Sequence, residues 1–68
     1  MLTQEKIGHK IRDLRVKKGI SQGDIVRKLG MPKSFVSNIE NGKTNPTLAT
    51  IAKLARALGV PIEDLVRL

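Results

Sequence analysis

Gln22 to Asn41 reads QGDIVRKLGMPKSFVSNIEN. Its first half carries Ile25, Val26 and Leu29 at the i, i+1, i+4 spacing of one helix face, and its second half carries Val36 and Ile39. Gly30 stands between them, the residue type that readily takes the left-handed backbone conformation and so turns a chain off a helix end. Pro32 follows. It lacks the N–H that would continue the first helix, yet its fixed φ suits the opening of a second. The stretch therefore predicts two short helices, residues 22–29 and 32–41, joined by a tight turn at Leu29-Gly30-Met31.

Two helices joined by a glycine-containing turn form a helix-turn-helix unit, whose second helix reads the major groove of DNA. The charge agrees: thirteen Lys and Arg against six Asp and Glu leave a formal net charge of +7. Such an excess favours polyanions, because each phosphate neutralised releases condensed counterions. The blander reading of the same charge is solubility alone. Abundant Leu, Ile, Val and Ala, with one Phe and no Trp or Tyr, suit a compact all-α core.

Working outward, Thr3 is placed to cap a first helix over residues 4–18, with Ile7, Ile11 and Leu14 on one stripe. Gly19 ends it. Ser21 and Asp24 have the spacing of a capping box at the start of helix two. After a loop at Lys43-Thr44-Asn45-Pro46, Thr47 caps a fourth helix over residues 48–58. Its apolar face is expected to comprise Leu48, Ile51, Ala52, Leu54, Ala55 and Leu58. Gly59 stops it, and Pro61 opens a last helix over residues 61–67. Residues 1–68 thus read as one five-helix domain without strands, repeats or linkers.

Rotating the third helix by about 100° per residue, with Val36 inward, brings Ile39 and Glu40 to the same side. Ser34, Asn38 and Asn41 fall opposite, Ser37 and Phe35 lie on the flanks, and Lys33 gains reach from the helix end. The free face is thus short and polar. Asn pairs bidentately with adenine, Lys donates to guanine, and Ser does either. Such residues are also ordinary on a solvated surface.

Ser21-Gln22, Ile25, Leu29-Gly30, Ser34, Val36-Ser37, Ile39-Glu40-Asn41-Gly42-Lys43, Pro46, Leu48, Ile51, Leu54-Ala55, Leu58-Gly59-Val60 and Leu65 together resemble the phage-repressor and Cro type (XRE-like) of helix-turn-helix protein. That resemblance spans about Ile7 to Leu65 and implies a lambda-repressor-like domain binding double-stranded DNA. It implies base reading by Lys33, Ser34, Asn38 and Ser37, with Phe35 against a thymine methyl. The alternative for Phe35 is a ring lying on helix two. By the same resemblance Gln22, Asn41 and Lys43 hold phosphates, and Arg15 pairs with Glu40 between helices one and three. The chain departs from the family's habit at Pro32 and Pro61, where capping side chains are usual, and at Val26, where Ala is usual.

The expected function is a sequence-specific transcriptional regulator, most simply a repressor, bound as a two-fold homodimer to an inverted repeat. Ile62, Leu65, Val66 and Leu68 are too many apolar residues for one short helix to bury. Leu65 is expected in the core, leaving Ile62, Val66 and Leu68 for a partner subunit. Other readings of the same fold are an antitoxin or protein-interaction module, or the DNA-binding part of a longer ligand-sensing regulator. Catalysis is not expected: Cys is absent, His9 stands alone, and no phosphate-binding loop follows a strand. Neither a metal nor a cofactor is expected. With no apolar run near the ~18 residues of a membrane span, and no secretory leader at Met1-Leu2-Thr3-Gln4-Glu5, a cytoplasmic setting follows.

Overall fold

The computed structural model describes residues 3–67, which form α1 (Gln4–Lys17), α2 (Gln22–Leu29), α3 (Lys33–Glu40), α4 (Leu48–Leu58) and α5 (Glu63–Val66). No strand occurs among the described residues. Each boundary has a local cause. Thr3 accepts from the Lys6 N–H at 3.2 Å, and Thr47 from the Thr50 N–H at 3.1 Å. Ser21 and Asp24 close a reciprocal box, in which the Asp24 N–H donates to Ser21 Oγ at 3.0 Å and the Ser21 N–H donates to Asp24 Oδ2 at 2.9 Å. These bonds satisfy amides that a helix start otherwise leaves without partners. The turn into α3 runs through Gly30 at φ 67°, a left-handed conformation that costs other L-residues strain.

The core is one cluster. Ile7 and Ile11 of α1, Ile25 of α2, Val36 and Ile39 of α3, Ile51, Leu54 and Leu58 of α4, and Leu65 of α5 are buried together. Each such side chain contributes about 1.5–3 kcal/mol relative to exposure. All five helices therefore depend on one another, and α3 is held from beneath by both α1 and α2.

Two expectations are corrected here. On α4, Leu48 is 69% exposed and Ala52 is also exposed, whereas Ala57 is buried. Leu48 has a suitable angle but lies in the first turn, short of the core cluster. Ala57 instead lines a shallow cleft with Ile20, Asp24, Arg27 and Lys28, against the flank of α2. The last helix is also shorter than residues 61–67. Ile62 forms its start without a side-chain cap, and Arg67 is already extended at φ −75°, ψ 136°.

Candidate nucleic-acid interface

Val36, Ile39 and Glu40 are buried, while Lys33, Ser34, Asn38 and Asn41 are exposed, so α3 presents an unbroken polar face outward. Ser37 is half-buried on the flank, and the Asn41 side-chain amide donates to its Oγ at 3.3 Å. Phe35 is half-buried and packs against the core cluster. One side of the ring is thus used in folding and the remainder is open. Pro32 starts α3 with no side-chain cap. With φ −61° and ψ 144° it is the extended N-cap just before Lys33, not the first helical residue.

Beneath this face lies a charged junction. Arg15 Nε donates to Glu40 Oε2 at 2.6 Å, and Arg15 Nη2 donates to Glu40 Oε1 at 3.1 Å. Arg15 Nη1 donates to the Ile20 carbonyl at 2.8 Å, binding in the loop before α2. The two side chains are only 13% and 2% exposed. A fork of two parallel bonds fixes the angle between α1 and α3 as well as their distance. Gln22, at the start of α2, joins the same carboxylate: its Nε2 donates to Glu40 Oε1 at 3.1 Å.

Two contacts of α1 with the end of α3 were not anticipated. Gly8 is buried where a Cβ would lie 2.1 Å from the Ile39 carbonyl oxygen, so the two helices meet backbone to backbone. A helix-interior glycine costs about 1 kcal/mol against alanine, which is itself a sign of close approach. Gln4 Nε2 donates to the Gly42 carbonyl at 2.8 Å. That bond anchors the turn between Asn41 and Lys43, both exposed. Gly42 lies at φ 72° with Glu5 across it, leaving no room for a side chain.

In α5 Leu65 is fully buried, while Ile62 and Val66 are half-buried and retain open surface. Leu68 lies outside the described residues. No helix among the described residues is long and apolar enough to cross a membrane.

Two short helices crossing over a left-handed glycine, the second carried on a buried seam with its polar side free, define a helix-turn-helix domain. The chain belongs to the HTH_3 helix-turn-helix family, whose pattern residues 11–65 match. It is 42% identical over 57 residues to the Cryptic phage CTXphi transcriptional repressor RstR of Vibrio cholerae. That match covers 84% of this chain and 51% of RstR, so the chain spans about half the length of that relative. The restriction-modification controller protein C.AhdI from Aeromonas hydrophila superposes with a TM-score of 0.85 at 37% identity, over 91% of this chain and 94% of that one. The controller protein C.Esp1396I, solved as a tetramer with its natural 35 base-pair operator, superposes at 0.79 with 26% identity, over 85% and 76%.

Proposed function

We propose that this protein is a sequence-specific transcriptional repressor that binds an inverted-repeat operator as a two-fold homodimer. The observation that carries the reading is the outward face of α3, polar along its length and backed by a buried, bidentate ion pair. In this reading Lys33, Ser34 and Asn38 reach base edges in the major groove. Ser37 and the open side of Phe35 reach the flanking positions. Gln22, Asn41 and Lys43 hold the phosphates on either side of the groove, which sets register without reading sequence. The relatives support a regulatory role, since RstR is described as a transcriptional repressor and C.Esp1396I was solved with its operator.

Dimerisation through the open surface of Ile62 and Val66 would place two α3 helices in successive major grooves, about 34 Å apart. Bound over a promoter, such a dimer represses by occluding polymerase. A second reading, in which this domain is the DNA-binding part of a longer regulator, is favoured by the share of RstR that the match covers.

The test is binding to an operator selected from a random duplex pool and to a scrambled duplex, each at several salt concentrations. Asn38→Ala is expected to cost about 1–3 kcal/mol on the operator alone and to relax preference at one base position. Lys43→Ala is expected to weaken both duplexes alike and to lower the salt slope by about 0.9. Equal losses on both duplexes for Asn38→Ala would overturn its assignment as a base reader.

A further inference from the structure

We infer that Glu40 is a positioning residue for DNA contact, its buried carboxylate holding the Gln22 side-chain amide so that one N–H is engaged inward and the other is presented to a backbone phosphate. This rests on the reading of Gln22 as a phosphate ligand. The ion pair with Arg15 already supplies two donors to Glu40, one on each oxygen. The bond from Gln22 is a third, arriving from a different helix at 3.1 Å. No buried side-chain polar atom among the described residues lacks a partner, so the network is closed.

The direction of that third bond has a chemical consequence. A glutamine amide has an oxygen on one side and an NH2 on the other, and in water it turns freely between them. An ionised carboxylate accepts only. Facing Glu40, the amide must therefore turn its nitrogen inward, because oxygen against carboxylate is repulsive. The NH2 group carries two hydrogens, and one remains available. Gln22 is the first residue of α2 and only half-buried, so that hydrogen is delivered at the helix end. The side chain is also ordered before DNA arrives, which removes part of the entropic cost of the contact. Glu40 thus acts on the duplex through Gln22 although it is itself 2% exposed.

A double-mutant cycle on the scrambled duplex separates this role from simple support of the fold, with circular dichroism establishing that each variant is folded at the temperature used. Gln22→Ala is expected to weaken binding about tenfold or more, the scale of one hydrogen bond to a charged group. Glu40→Gln keeps the shape but no longer selects the amide orientation. It is expected to lose most of the same factor in the unsubstituted background, and less than about twofold when Gln22→Ala is already present. Equal losses in both backgrounds would mean that Glu40 acts only through the fold, and would overturn the inference.

A measurement on the free, unsubstituted protein decides the matter even if Glu40→Gln does not fold. In a nitrogen-edited NMR spectrum the two Gln22 side-chain protons are expected well apart, one shifted downfield by the carboxylate. Shifts like those of a free amide would overturn the claim. If Gln22→Ala leaves binding untouched while Asn38→Ala relaxes specificity, the DNA reading stands and this inference falls. Indifference to both substitutions would overturn the DNA reading and this inference together.

Discussion

Where α1 meets α3, the helices touch backbone to backbone over Gly8 and share a buried ion pair; where α4 meets α5, a four-residue helix starts uncapped and buries one side chain, Leu65. The first junction is closely fitted, since its contacts are a carbonyl oxygen against a glycine and a two-point fork. The second leaves Ile62 and Val66 partly open. The rigid junction is the one that aims the proposed reading helix, and the incompletely covered one is where a second subunit is proposed to dock. Close fitting thus lies beneath the proposed reading helix, and unused apolar surface lies at the proposed subunit contact.

The largest expected effect comes from disturbing the rigid junction. Gly8→Ala gains about 1 kcal/mol of helix propensity. It also puts a methyl 2.1 Å from the Ile39 oxygen, a backbone atom that cannot swing away. The net result is expected at the upper end of the ~1–3 kcal/mol that overpacking costs. Gly23→Ala is the control, because its Cβ would meet only side-chain atoms at ordinary contact distance, the flexible end of Arg27 at 3.4 Å and Ser21 Oγ at 3.6 Å. Urea unfolding of both variants checks this, and similar midpoints would mean that the α1–α3 contact gives way more easily than its geometry suggests.

A smaller effect on stability, with a large one on assembly, is expected at the α4–α5 junction. Val66→Glu places a charge on half-open surface, so the midpoint should move less than for Gly8→Ala, while the proposed dimer is expected to dissociate. Sedimentation at micromolar concentration with circular dichroism reads both quantities. A dimer that persists would place the subunit contact elsewhere, and the exposed Leu48 would be the next surface to substitute.

The smallest effect concerns neither junction and serves as their baseline. Asp24 bonds to the Ser21 backbone N–H, and additionally to the Ser21 hydroxyl and Arg27, which holds its carboxyl below the ordinary value. A depressed pKa contributes stability that is complete above the unfolded-state value, about 3.9, and is lost as pH falls through the lower folded value. Asp24→Asn should therefore flatten the fall in melting temperature between pH 5 and pH 2, modestly because the group is solvated and screened. Thermal melts across that range decide it, and an unchanged slope would remove Asp24 from the account.

The helix ends and the burial of Leu65 in α5 were legible in the residues, and the close approach of α1 to α3 was not. The turn at Gly30, the caps at Thr3, Ser21 and Thr47, and the inward angle of Glu40 all follow from local chemistry. Local chemistry is what a linear string records best. Leu48 and Ala52 were misplaced for the converse reason: periodicity gives the direction of a side chain but not whether anything lies there. Ala57 shows the same gap, since only the neighbouring flank of α2 makes its position interior. The bond from Gln22 to Glu40 escaped notice because it joins residues 18 apart whose nearness depends on how two helices cross. Gly8 was detectable in principle, as a glycine where alanine would favour the helix.

The partners at the α1–α3 seam are far apart along the chain: Arg15 and Glu40 are separated by 25 residues, and Gln4 and Gly42 by 38. Closing loops of that size costs entropy that grows with the logarithm of their length. The turn at Gly30 closes from its own neighbours at less entropic cost than the seam, so α1 is the costlier element to bring into place. The segment from Gln22 to Asn41, cut free, would lose the Arg15 guanidinium that makes the burial of Glu40 tolerable.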